Sequence, residues 1–256
     1  MAHKGKNVLC GNWKMKLSAA AAKALALELG PLSRELRHSQ IWVAPSFTAI
    51  PDVAAVVRGS ALRLGAQNVY GALEGAFTGE VSVGMLKEFG CEFAIVGHSE
   101  RRIIFGETNE LAAERAAAVL KQGFTVIFCI GETAKERKEN LTGEVLEAQL
   151  WALLTKISEA DGSHLIVAYE PVWAIGSGVV AKVQEIAEAH MTIAAIWKKR
   201  FSSACPPILY GGSVTADNFA EIIRLDLVAG ALIGGASLTF ESMQKLARIS
   251  EEAGSC

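Results

Sequence analysis

The sequence predicts an α/β chain closed into a single (β/α)8 barrel, one domain over residues 1–256. Three observations carry this. Eight short apolar runs alternate from end to end with segments rich in Ala, Leu, Glu and Lys. Their mean spacing of about 32 residues is near the size of a minimal strand-plus-helix repeat. The runs are continuously apolar, which suits parallel strands buried on both faces. Finally, the polar residues that could act chemically follow many different strands. A barrel gathers its site that way, whereas a doubly wound open sheet binds at one switch point, usually the first βα turn.

Each element can be justified in order. Run 8–12 leads to Gly11-Asn12-Trp13-Lys14, a turn without a glycine-rich phosphate loop. Ser18 caps a helix carrying Ala22, Leu25, Ala26 and Leu29 on one face, which is expected to stop at Gly30-Pro31. Strands follow at 41–44, at 62–66 (then Gln67) and at 93–97, where His98-Ser99-Glu100-Arg101 comes next. After strand 126–130 comes strand 165–169, which runs into Glu170-Pro171-Val172-Trp173-Ala174-Ile175-Gly176-Ser177-Gly178. Residues 183–200 place Ile186, Ala187, His190, Ile193, Ala194 and Trp197 on one helical stripe. Strand 208–210 ends in Gly211-Gly212-Ser213, and strand 231–233 in Gly234-Gly235-Ala236-Ser237. No linker or composition shift divides the chain.

Composition narrows the function. With 25 basic and 27 acidic side chains the net charge is −2. That balance exerts no global pull on nucleic acid or an anionic membrane, so any bound anion needs a local site. The apolar runs fall far short of the roughly 20 residues of a membrane span. Five cysteines, Cys10, Cys91, Cys129, Cys205 and Cys256, form no Cys-x-x-Cys pair, and the histidines stand at no ligand spacing. This argues against a disulfide framework or a zinc site and for a reducing compartment. The N-terminus shows no signal-peptide core, so a cytoplasmic location is expected and the sequon Asn140-Leu141-Thr142 reads as chance.

On a barrel, the strand-end residues converge on one rim: a lone carboxylate, an imidazole, an ammonium, an amide and three glycine-rich turns. Glycine pairs after strands seven and eight lie where barrels frequently build a phosphate site from backbone amides. Gly176-Ser177-Gly178-Val179-Val180-Ala181 matches a dinucleotide fingerprint. It does not directly follow a strand, however, and the region 20 positions on is basic. The stretch reads instead as a loop able to cover a ligand with Val172, Trp173 and Ile175. Glu170 reads equally as a functional carboxylate and as a surface charge or ion-pair partner, whereas Asn12 and Lys14, each taken alone, read more readily as a turn residue and a surface lysine. A helix starting near Ser99 would turn its positive end on His98 and keep that ring neutral.

Seven segments in order resemble the triosephosphate isomerase family over essentially the whole chain. They are Gly11-Asn12-Trp13-Lys14-Met15, Gly75-Ala76-Phe77-Thr78-Gly79-Glu80, Val96-Gly97-His98-Ser99-Glu100-Arg101-Arg102, Cys129-Ile130-Gly131-Glu132, Tyr169-Glu170-Pro171-Val172-Trp173-Ala174-Ile175-Gly176, Tyr210-Gly211-Gly212-Ser213-Val214 and Gly234-Gly235-Ala236-Ser237-Leu238. The resemblance implies interconversion of dihydroxyacetone phosphate and glyceraldehyde 3-phosphate, without cofactor or metal, by a homodimer. It implies Glu170 as base, His98 as neutral electrophile, Lys14 as fixed positive charge and Asn12 as an oxyanion-orienting amide. Phosphate would be held by the amides of Gly176, Ser213, Gly234 and Gly235 under a lid formed by 171–178. Glu100 would order Lys14, and Cys129 would support packing around the base. The 67–80 loop would form the dimer contact, with Thr78 beside the neighbour's Asn12 and Lys14.

The sequence departs from the family at Ser177 and Val179-Val180 in the lid hinge, at Lys16 and at Ala229. Two other readings stand beside the main one. A barrel isomerase for a larger sugar phosphate is disfavoured by the full lid motif and the lone carboxylate. A catalytically idle phosphate-binding barrel with a scaffold role would be expected to have lost Glu170, His98 or Lys14.

Overall fold

The computed structural model describes residues 5–176 and 179–254. Eight strands close into a barrel in chain order, every neighbouring pair parallel. They are β1 (Asn7–Asn12), β2 (Ser39–Ala44), β3 (Arg63–Ala66), β4 (Phe93–Val96), β5 (Thr125–Ile130), β6 (Leu165–Tyr169), β7 (Ile208–Tyr210) and β8 (Val228–Ile233). The helices are α1 (Ala19–Glu35), α2 (Ile50–Val57), α3 (Val83–Glu88), α4 (Ser99–Phe105), α5 (Asn109–Leu120), α6 (Ala134–Lys138), α7 (Thr142–Leu154), α8 (Val183–Arg200), α9 (Ala216–Ile222) and α10 (Phe240–Gly254).

Period-2 alternation explains why the strands read as unbroken apolar runs. Val8 and Cys10 point into a barrel interior shared with Trp42, Phe93, Ile127 and Leu209. Leu9, Ile41, Val43 and Val96 belong to a second apolar layer packed with the helices. Both faces exclude water, so neither can be polar.

The last strand begins three residues before the sequence expectation, at Val228. Gly230 explains the difference. It sits at φ +136° and pairs with Val8 across the closing seam, where a β-carbon would collide with the Val8 backbone. Glycine here permits the close approach that shuts the barrel. Ala229 consequently lies inside β8 and faces the barrel interior.

Helix α1 starts at the Ser18 cap, whose hydroxyl accepts the Ala21 amide at 3.2 Å. It runs through Gly30-Pro31 to Glu35, contrary to the expected stop. An interior proline costs about 3 kcal/mol, but Leu32 and Leu36 beyond it are buried. Each such leucine contributes roughly 1.5–3 kcal/mol, enough to carry the helix past the proline. Helix α8 has the expected bounds. Ala189 and Ile196 complete its buried stripe, while Ala187 and Ala194 are only half-buried.

Among the described residues no helix is long and apolar enough to cross a membrane.

Candidate active site

The C-terminal ends of β1, β4 and β6 bring four polar side chains together. Asn12 closes β1 in a nearly buried position, and its Oδ1 accepts the Lys14 amide at 3.1 Å. That bond holds Lys14 at φ +50°, a left-handed conformation that costs a non-glycine residue about 1–2 kcal/mol. A second restraint comes from Gln67, whose Nε2 donates to the Lys14 carbonyl at 2.8 Å and to the Ala44 carbonyl at 2.9 Å. So fixed, Lys14 extends its ammonium to Glu100 Oε1 at 2.6 Å.

His98 is the N-cap of α4, and its Nδ1 accepts the Glu100 amide at 3.2 Å. Only an unprotonated Nδ1 can accept, so the ring carries its proton on Nε2. Nε2 stands 3.0 Å from Glu170 Oε1, while Glu170 Oε2 accepts the Ser99 amide at 2.8 Å. Burial works against charge on the imidazole, but the Glu170 carboxylate outweighs it and lifts the His98 pKa above its ordinary value. The helix-end effect read from sequence is thus overridden while Glu170 rests beside the ring. Burial likewise disfavours charge on Glu170, yet His98, the Ser99 amide and Lys14 together hold its carboxyl below the usual carboxylate value. Cys129 is fully buried nearby. Burial, and then the Glu170 charge, push its thiol pKa well up, so it stays neutral.

Two glycines make room for the glutamate. A β-carbon on Gly131 would collide with the Glu170 carbonyl, and one on Gly211 would lie 2.8 Å from Glu170 Cγ. Gly131 is itself pinned by the Gln149 side chain, which accepts its amide at 2.7 Å and donates to its carbonyl at 3.1 Å. The sequence marks the Gly211-Gly212-Ser213 turn as a candidate phosphate loop, with Ser213 as the residue whose amide would bind. In the structure Gly211 accommodates the Glu170 side chain and Gly212 the Tyr210 hydroxyl.

The remaining glycines border open space. Gly234 lies against the Lys14 side chain, where an added β-carbon would be 3.5 Å from Cε. Gly235 opens a short 3-10 turn to Ser237, and nothing stands within 4 Å of its missing β-carbon. Gly176 has φ +66° and is exposed. Ser213 donates its hydroxyl to the Ala174 carbonyl at 2.6 Å, tying the β7 turn to the 171–176 segment. Ser177 and Gly178, the rest of the expected lid, lie outside the described residues.

The sequence reading assigned no role to Glu132, a fully buried carboxylate beside this segment. It accepts the Trp173 indole N–H at 2.8 Å and the Tyr169 hydroxyl at 3.2 Å, and pairs with Arg137 at 3.2 Å. The signal was a glutamate two residues after strand 126–130, one position further on than Glu170 stands after strand 165–169. Gln67 and Gln149 gave no comparable signal, because their roles depend on carbonyls and amides that folding brings near. Thr78 stands apart from this group: it is exposed in the 67–80 loop, and no hydrogen bond links it to the other site residues among those described.

A carboxylate next to an imidazole N–H, with an ammonium, an amide and exposed loop amides on the same rim, can remove a carbon-bound proton while polarising a carbonyl. Among the described residues there is no cluster of three His, Cys, Asp or Glu suited to a metal ion.

Comparison with known proteins places this geometry. The model of the family described as triosephosphate isomerase matches residues 7–250. A triosephosphate isomerase of Magnetococcus marinus is 44% identical over 237 residues, covering 90% of this chain and 93% of that protein. One of Lawsonia intracellularis is 43% identical over 244 residues, covering 94% and 97%. One of Endomicrobium trichonymphae is 40% identical over 248 residues, covering 96% and 99%.

Proposed function

The chain belongs to the triosephosphate isomerase family, and we infer that it interconverts dihydroxyacetone phosphate and D-glyceraldehyde 3-phosphate through an enediol(ate). The observation that carries this reading is the buried Glu170–His98 pair, 3.0 Å apart, on the rim that also bears Lys14. The division of labour between glutamate base and neutral histidine is the family's own known chemistry rather than a deduction from these distances.

In the ligand-free arrangement Glu170 rests on His98 Nε2 and the Ser99 amide. Substrate replaces both contacts: the carboxylate turns to the carbon-bound proton, and His98 Nε2–H points at the carbonyl oxygen. With the carboxylate gone from its side, the ring loses the partner that raised its pKa. Burial, Lys14 and the Glu100 amide then favour the neutral form against the Glu100 carboxylate alone, and in that form Nε2–H still donates to the carbonyl oxygen. Lys14 stabilises negative charge on the developing enediolate, and Asn12 orients that oxygen. The amides of Gly176, Ser213, Gly234 and Gly235 hold the phosphate, with 171–178 closing as lid. Closure excludes water and fixes the phosphate, which suppresses elimination from the intermediate. Glu100 keeps Lys14 in place, and Cys129 packs around the base as a neutral thiol. No cofactor enters the scheme.

The working form in this reading is a homodimer of single-domain chains in the cytoplasm, joined through the 67–80 loop, with Thr78 reaching the neighbour's Asn12 and Lys14. Supporting it, the exposed apolar residues Met15 (95% exposed), Leu73 and Phe77 lie on the two loops that would meet. A catalytically idle barrel has no observation in its favour.

Turnover of dihydroxyacetone phosphate in deuterium oxide tests the assignment. Deuterium should enter at the carbon beside the carbonyl, and Glu170→Ala should abolish that incorporation. Turnover or labelling that survives undiminished in the folded variant would refute the role of Glu170.

A further inference from the structure

His98 and Glu170 stand at the ends of different strands, and one side chain ties together the backbone that carries them. The paired register of β4 and β5 ends at Val96 opposite Phe128. Beyond it Gly97 leaves the strand conformation at φ +72° and leads into His98, the N-cap of α4. Arg102, in α4, spans the gap that opens there. Its Nε donates to the Gly97 carbonyl at 2.7 Å, and one terminal nitrogen donates to the Cys129 carbonyl on β5 at 3.2 Å. The other terminal nitrogen donates to Asn109 Oδ1 at 2.7 Å, which fixes the plane of the guanidinium. Gly97 leaves the room for this, since a β-carbon there would stand 2.9 Å from the nitrogen that reaches Cys129. A rigid planar fork can hold three acceptors in set directions at once, whereas the compact ammonium of a lysine cannot.

Both carbonyls lead to the reacting pair. The Gly97 carbonyl belongs to the peptide unit that joins Gly97 to His98. Cys129 precedes Ile130, whose carbonyl accepts the Glu170 amide at 2.7 Å, and then Gly131, which lies against the Glu170 carbonyl. We propose that Arg102 is a positioning residue for the isomerisation, fixing the end of β4 against the end of β5 and so the 3.0 Å spacing of His98 Nε2 and Glu170 Oε1. The proposal rests on the isomerase reading of this site. Arg102 acts through His98 and Glu170 rather than on substrate. Its loss therefore slows the chemical step, because reacting groups displaced by about 1 Å can lose about 10²-fold in rate. Binding through the β7 and β8 turns is left nearly as it was.

The experiment uses the full-length, ligand-free protein with 15N-labelled histidine rings, the His98 ring resonances being assigned by their loss in His98→Gln. Arg102→Lys keeps the positive charge but not the fork, and should shift the His98 resonances. Asn109→Ala removes only the bond that fixes the guanidinium plane, and should shift them in the same direction by less. Leu246→Ala, buried in α10, lowers Tm away from the pair and should leave them in place. Unmoved His98 resonances in Arg102→Lys overturn the proposal, or in Asn109→Ala if the lysine variant does not fold. So does an equal shift in Leu246→Ala.

Steady-state kinetics with D-glyceraldehyde 3-phosphate give the second readout. Arg102→Lys should lower kcat about tenfold or more and change KM less than about twofold, while folded Leu246→Ala keeps kcat. An unchanged kcat, or a loss carried by KM instead, counts against the proposal. Wild-type protein that fails to isomerise triose phosphates would defeat the functional reading alone, and the ligand-free His98 resonances would still decide whether Arg102 sets the pair.

Discussion

Glu170 must be a carboxylate at neutral pH although it is almost wholly buried, and its neighbours are arranged to keep it so. His98, the Ser99 amide and Lys14 outweigh the cost of burial and hold its carboxyl below the ordinary value. A lowered folded-state pKa contributes stability that is present above the unfolded value, near pH 4.5, and is lost as pH falls through the folded one. The stability difference between wild type and Glu170→Gln is therefore expected to shrink as pH falls below the ordinary carboxylate value. Urea unfolding at successively lower pH checks this, and a constant difference would contradict it. Gly131 is a second sensitive point. Gly131→Ala drives a methyl group into the Glu170 carbonyl, and should cost about 1–3 kcal/mol of stability together with a disproportionate loss of kcat. Denaturation and steady-state kinetics on one preparation separate the two effects; unchanged kcat would mean that the base tolerates displacement. At this scale the residues with strand-end positions were legible in the sequence, namely Asn12, Lys14, His98 and Glu170. Gln67, Gln149 and Glu132 were not assigned, because each acts on groups that are distant along the chain and meet only on folding.

Elements were legible where one local cause fixes them. Ser18 capping α1 and the stripe of α8 follow from hydroxyl chemistry and helical spacing, and the eight strands follow from their two buried faces. The misread boundaries came from long-range forces. Leu32 and Leu36 draw α1 past Pro31, and the Val8 backbone draws Gly230 into β8. Since Pro31 supplies no N–H to the helix ladder, Pro31→Ala should stabilise the protein by about 2 kcal/mol. That is the helical gain less the entropy returned to the unfolded chain. A raised Tm supports this; a lowered one would mean that a proline-induced bend is needed for α1 to pack. In the 171–176 segment, the sequence suggested Trp173 as a cover for ligand, and the structure adds its hydrogen bond to buried Glu132. Which carboxylate receives an indole N–H is settled by tertiary packing, which composition and periodicity do not encode.

Over the whole molecule, a net charge of −2 leaves anion binding to the rim, where Lys14 and the loop amides gather. Met15, Leu73 and Phe77 are exposed apolar residues, and in the proposed dimer a second copy would cover them. If the proposed dimer holds, changing Leu73 and Phe77 together to Glu should give a monomer whose base and acid are intact but whose turnover falls about tenfold or more, because the neighbour's Thr78 no longer packs beside Asn12 and Lys14. Sedimentation and kinetics on the same sample test this, and a stable monomer with full turnover would contradict it. The most direct measurement is turnover of D-glyceraldehyde 3-phosphate by the wild type and by Glu170→Ala, without added metal or nucleotide. The expected result is a wild-type kcat/KM approaching about 10⁸ M⁻¹s⁻¹ and a loss of about 10²–10⁴-fold or more in the folded variant. A correctly folded wild type without turnover would leave the barrel standing and contradict the isomerase assignment.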